Sequence, residues 1–130
     1  MSNSGSPPAQ PGVYPGEIIV RNGGSDPHFL DRLTNLGLTV SGFRAIGERV
    51  RKMARICDGK VIDLITSGYS LDVLPYAWLA LICGLADFEI PIEEPHPRSP
   101  ERMKDPVVGA TELVIAEVKS HLSPYWACLR

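Results

Sequence analysis

The sequence has no apolar run of the roughly 20 residues that a membrane span needs, and its longest, around Val73 to Ala86, falls short. Met1 to Gly12 carries neither a basic start nor an apolar stretch, which argues against a signal peptide there. Charge of one sign is also scarce. Thirteen basic and fifteen acidic residues leave a net charge of -2, too weak a field to draw in nucleic acid or an anionic membrane surface. The three cysteines, Cys57, Cys83 and Cys128, form no CxxC or other close ligand spacing. None of the three histidines, His28, His96 and His121, has a histidine neighbour. No G-x-G-x-x-G and no P-loop lysine occurs, which weighs against a nucleotide-binding βαβ unit. These absences lead us to expect a soluble, cytoplasmic protein with reduced thiols. Cys83, in the run Leu79-Ala80-Leu81-Ile82-Cys83, reads as a small buried hydrophobe rather than a nucleophile, and Cys128 as exposed near the chain end.

What is present is a globular composition, with 44% apolar residues in 130, enough for one ordinary domain or a piece of a larger one. Residues 1–13 read as a flexible leader with little to bury. Glu17 to Arg21 predicts a β-branched strand, broken at Asn22-Gly23-Gly24. From Thr39 as N-cap, Phe43, Ile46, Val50, Met53, Ala54 and Cys57 recur at helical spacing, and Asp58-Gly59 ends the helix. The opposite face, with Arg44, Glu48, Arg49, Arg51, Lys52 and Arg55, reads as a solvated surface rather than a basic docking patch. Val61 to Ile65 predicts a second strand, stopped by Thr66-Ser67-Gly68-Tyr69.

A second helix follows from about Asp72 to Ala86, with Pro75 tolerated in its first turn. Being apolar almost all round, it should be buried. A proline-rich linker (Pro91, Pro95, Pro97, Pro100) leads to the cap Asp105-Pro106 and a last helix from about Val107 to Leu122. Strand, helix, strand, helix, extension, helix is the order of an α/β layer with parallel strands and a right-handed crossover. Two parallel strands do not make a stable sheet, because such sheets bury both faces. Another chain, or another copy of this one, is expected to complete it.

In open parallel sheets ligands bind outside the carboxyl ends of the strands, which directs attention to the loops after Arg21 and after Ile65. The first contains Asp26-Pro27-His28-Phe29-Leu30-Asp31 and the second Ser67-Gly68-Tyr69. Asp26 and His28, two residues apart, could both ligate a metal such as zinc, or one could ligate while the other orients it. Asp and His are equally at home in turns, where Asp26 or Asp31 would simply cap backbone N–H groups.

The stretch from Gly24 to Thr39 resembles the run G-F-D-A-H-x-x-D-P-L-x-x-L-x-L-T of the histone deacetylase and acetylpolyamine amidohydrolase superfamily. Gly24, Asp26, His28, Asp31, Leu33, Leu36, Leu38 and Thr39 match in register, and Gly42-Phe43 continues it. Thr66-Ser67-Gly68-Tyr69 stands where that family has E-G-G-Y or G-G-G-Y, Trp78 follows the tyrosine by nine residues as in some members, and the tail from Val118 to Trp126 is also similar. The resemblance covers residues 14–130. It implies the C-terminal part of a deacetylase-like domain with an arginase/deacetylase-like fold, here a partial three-layer parallel sheet.

The same resemblance implies zinc as cofactor in the completed site, Asp26 as a ligand, and Tyr69 as the phenol that hydrogen-bonds the substrate carbonyl. His28 is implied as a ligand or as support, with Asp31 and Gly68 shaping the loops. Thr66 and Ser67 depart from the family's Glu or Gly followed by Gly. The serine adds a side chain where the backbone approaches the substrate channel, which puts catalysis in doubt. Arg32 replaces a common proline, a milder change.

The family's other two zinc ligands, a second Asp and a His separated by one residue, and its adjacent histidines that serve as general base and acid have no counterpart in these residues. One aspartate, with or without His28, cannot close a zinc site of three protein ligands. The expectation is therefore one subunit or fragment of a deacetylase for acetyl-lysine or acetylpolyamine, completed by a partner chain carrying the N-terminal half, or else by homo-oligomerisation. The alternative is a non-catalytic scaffold subunit. Alone, the chain should not turn over an acetyl amide.

Overall fold

Two β-branched runs separated by a helix pair side by side. In the computed structural model, which describes residues 16–34, 36–99, 107–126 and 129, β1 spans Ile19–Gly24 and β2 Val61–Ser67. They form a two-stranded parallel sheet, in register from Ile19↔Val61 to Gly23↔Ile65 and then Gly24↔Ser67. Asn22-Gly23-Gly24 thus continues the first strand instead of breaking it, and β2 runs two residues past Ile65. Parallel pairing outweighs the weak strand propensity of the glycines. It also requires one of them, since a Cβ on Gly24 would lie 2.2 Å from the carbonyl oxygen of Ser67.

Helix α1 spans Val40–Ala54, capped by Thr39, whose hydroxyl accepts the Gly42 N–H. Its buried seam is Val40, Phe43, Gly47, Val50 and Ala54, while Met53, predicted on the stripe, lies exposed. A 3-10 turn, Arg55–Cys57, carries the chain into left-handed Asp58 and then Gly59. Helix α2 spans Leu74–Ala86 and packs against α1. The two backbones approach closely where glycines face each other: a Cβ on Gly47 would sit 2.3 Å from the Leu81 carbonyl oxygen, and one on Gly84 2.1 Å from that of Arg44.

The core is Val40, Phe43, Ala77, Ala80 and Leu81, with Leu38, Ile46, Ile65 and Ile92 packed on it. Contrary to the all-round burial expected of α2, which packs against α1, its Tyr76, Leu79 and Ile82 are exposed. Cys57 and Cys83 are buried free thiols. The basic face of α1 is partly employed: Arg44 donates to the carbonyls of Phe88 (2.9 Å) and Ile90, and Arg51 pairs with Asp87 at 2.5 Å. The segment after α2 is thereby strapped along α1.

One sheet face contributes Ile65 to the core. The other carries Ile18, Val20, Ile62 and Leu64, which remain 45%, 60%, 46% and 46% exposed. The described residues divide into two compact units, one ending at His96 and one starting at Pro97. The second contains α3, Val108–Leu122, in which no residue is buried. No helix among the described residues is long and apolar enough to cross a membrane. The expected leader, the Asp105-Pro106 cap and Cys128 lie outside the described residues.

Candidate functional site

Both loops of interest leave the sheet at one rung, where Gly24 pairs with Ser67. The register slips by one residue there, with Thr66 as the extra residue of β2, an irregularity of the kind that re-aims side chains at strand ends. Asp26 and Tyr69 each stand two residues beyond this rung.

Backbone bonds lace the loops together. Ser25 N–H donates to the Ser67 carbonyl at 2.7 Å, His28 N–H to Ser25 at 3.1 Å and Asp31 N–H to His28 at 2.9 Å. His28 and Leu38 form a parallel bridge, in which Phe29 N–H donates to Leu38 and Leu38 N–H to Pro27, each at 3.0 Å. Asp31 is buried and joins the two loops: Oδ1 accepts the Leu33 N–H at 2.9 Å and Oδ2 the Tyr69 N–H at 2.8 Å. Gly68 between them has φ +146°, and a Cβ there would meet Ser25 Oγ at 2.0 Å, so this position admits only glycine.

Asp26 lines an open depression of about 360 Å³ with Arg21, Asn22, Pro27, Thr66 and Ser67. Its Oδ1 accepts a hydrogen bond from Ser67 Oγ, and no partner engages Oδ2 among the described residues. The Thr34 hydroxyl donates to the Asp26 carbonyl, fixing the backbone beneath the carboxylate. Tyr69 is 61% exposed, and among the described residues it is its backbone N–H, not its phenol, that is hydrogen-bonded.

His28 is fully buried beside the rings of Phe29 and Phe43, with centroids at 4.4 and 6.3 Å. Its Nδ1 accepts the Leu30 N–H at 3.1 Å, which leaves Nε2 to donate to Glu94 Oε1 at 2.9 Å. Both ring nitrogens are thereby engaged, and a metal at His28 would have to break one of these bonds. The described residues include no group of three or more His, Cys, Asp or Glu placed to hold a metal. As a zinc ligand set they fit in part only: Asp26 Oδ2 is a free carboxylate oxygen at an open surface, and nothing beside it closes the site.

Sequence patterning missed two participants. Ser67 was read only as a side chain added where the backbone approaches the channel; its hydroxyl also donates to Asp26. Glu94 was absorbed into a proline-rich linker. The available signal was the buried histidine in the other loop, since a buried imidazole N–H calls for an acceptor.

The chain is an α/β unit that brings an aspartate and a tyrosine to the ends of adjacent parallel strands. The histone deacetylase domain family matches residues 9–85, and the chain belongs to that family. It is 34% identical over 120 residues to a probable deacetylase of Archaeoglobus fulgidus, covering 88% of this chain and 33% of that protein. To Histone deacetylase 14, chloroplastic, of Arabidopsis thaliana it is 30% identical over 59 residues, 45% of this chain and 14% of that protein. The chain thus spans about a third or less of the length of these relatives. Asp26, His28, Asp31, Gly68 and Tyr69 all fall inside the family match, and Glu94 falls beyond it.

Proposed function

We propose that this chain is the C-terminal part of a zinc-dependent deacetylase that hydrolyses acetyl-amide bonds, of acetyl-lysine or acetylpolyamine. The remaining zinc ligands and the His-His acid/base pair come from polypeptide outside these 130 residues, carried by a partner chain. The observation that carries the proposal is the shared rung: in a chain of the deacetylase family, Asp26 and Tyr69 each stand two residues past Gly24↔Ser67, on loops bonded to one another. The apolar face of Ile18, Val20, Ile62 and Leu64 supports completion of the sheet. A three-layer arginase/deacetylase-like fold would cover that face and add strands at its edges.

Asp26 offers Oδ2 as one ligand, while the Ser67 hydroxyl holds Oδ1 and fixes the carboxylate's rotation. Zinc bound there supplies Lewis acidity toward the amide carbonyl and an activated water. The Tyr69 phenol donates to the carbonyl oxygen as negative charge develops on it. Asp31 fixes the backbone from which that phenol swings. Gly68 lets the chain turn so that the phenol faces outward. His28 and Glu94 support the loop rather than ligate.

Co-expression with a polypeptide bearing the D-x-H and H-H motifs tests this. We expect a stable complex that retains zinc where the chain alone does not, with deacetylation of acetyl-lysine peptides or acetylated polyamines. Tyr69→Phe should abolish turnover with zinc retained, and Asp26→Asn should lower the zinc content. A zinc-loaded complex that hydrolyses neither substrate class would refute the proposal.

A further inference from the structure

Glu94 reaches back from the segment after α2 to both ends of the loop that carries Asp26. Its Oε1 accepts from the buried His28 Nε2, and its Oε2 accepts the backbone N–H of Val40, the first residue of α1, each at 2.9 Å. Both groups that face the carboxylate are donors. His28 could turn an acceptor toward Glu94 only by moving its proton to Nδ1, where it would oppose the Leu30 N–H, donor against donor. The ring is fully buried beside Phe29 and Phe43, which limits its freedom to move. The position therefore calls for a side chain of glutamate's length with two acceptors. Glutamine has the same shape but presents its own NH2 to one of the two donors.

We infer that Glu94 is a positioning residue for the Asp26 loop: it holds His28 as the Nε2–H tautomer and ties that loop to the amino end of α1. The strap from Phe88 to Glu94, held to α1 by Arg44 and to the core by Ile92, is then a working part of the site although it lies beyond the family match. Its meaning for catalysis rests on the assignment of Asp26 as a zinc ligand. The clamp itself does not.

The test is a long-range 1H–15N NMR spectrum of the histidine rings, with amide hydrogen exchange, on the full chain and on its complex where one forms. The wild-type protein should show His28 as the Nε2–H tautomer alone. Glu94→Gln sets an NH2 against one of the two donors and should speed exchange roughly tenfold, the loss of about one hydrogen bond, at Val40 or at Leu30, whose acceptor is His28 Nδ1; Glu94→Ala should speed it at both. Exchange within α2 should stay unchanged. An Nδ1–H tautomer in the wild-type chain, or wild-type exchange at Leu30 and Val40 in Glu94→Gln, would overturn the inference. The tautomer decides even where the variants fail to fold. A complex with the stated tautomer in which Asp26→Asn keeps its zinc supports the clamp and overturns only the Asp26 assignment.

Discussion

Asp31 offers the sharpest test of how the two loops are held. The residue is 5% exposed, and each carboxylate oxygen takes one backbone N–H, from Leu33 in its own loop and from Tyr69 across the rung. Alanine orphans both N–H groups at about 1–3 kcal/mol each. It also removes the cost of burying a charge, so we expect a net loss of about 2–4 kcal/mol. Asparagine keeps the shape and one acceptor but points an NH2 at the second N–H, for an expected loss of about 1–3 kcal/mol. The order alanine worse than asparagine follows from geometry alone. Urea unfolding reads it directly: with a slope near 2 kcal/mol/M, Asp31→Ala should lower the midpoint by about 1–2 M. Amide exchange should quicken at Leu33 and Tyr69 before it does in α1. Asparagine indistinguishable from wild type, within about 0.5 kcal/mol, would show that the carboxylate does not bear the two bonds, and the reasoning would fail.

Four further substitutions follow from close approaches and one ion pair. Gly47→Ala, at an ordinary helix position a gain of up to about 1 kcal/mol, should instead lower the melting temperature, because its Cβ would sit 2.3 Å from the Leu81 carbonyl oxygen; overpacking of that kind costs about 1–3 kcal/mol. Gly68→Ala should destabilise the chain, as seen by thermal melting, and Ser25→Gly should restore only part of the loss, since the positive φ remains. Asp63, its side chain 3% exposed, accepts from Arg21 Nη1 at 2.7 Å on both oxygens. Asp63→Ala should cost about 1–3 kcal/mol by chemical denaturation, below the range for a fully buried pair, since Arg21 retains some access to water.

The hydrophobic period of α1 and its Thr39 cap were legible because local rules decide them, and the Asp58-Gly59 stop for the same reason. Asn22-Gly23-Gly24 was misread as a breaker because the cause of its extended form lies 42 or more residues away, in the pairing with β2. Burial of α2 was overestimated for the converse reason: an apolar surface demands a cover, but the sequence does not say which polypeptide provides it. Asp26, Asp31, Gly68 and Tyr69 could be marked from a motif. Ser67 and Glu94, which reach Asp26 and His28 across 41 and 66 residues, could not, because a side-chain bond of that separation leaves no periodic trace.

Ser67 also changes the meaning of the chain's departure from its family. A serine before the Gly-Tyr turn reads as an obstruction if its side chain enters the channel. Here Oγ donates to Asp26 Oδ1, in space that stays open only because residue 24 is glycine, where a Cβ would lie 2.1 Å from that oxygen. The serine thus acts on the carboxylate as well as lining the depression beside it. An unrestrained carboxylate rotates freely, whereas the serine hydroxyl of the neighbouring strand restrains this one and leaves Oδ2 without a partner among the described residues. A substitution that merely decayed the site would leave Asp26 as it was or cover it. This one leaves Oδ2 without a hydrogen-bond partner among the described residues, so the proposed role of Asp26 as a metal ligand is compatible with the serine.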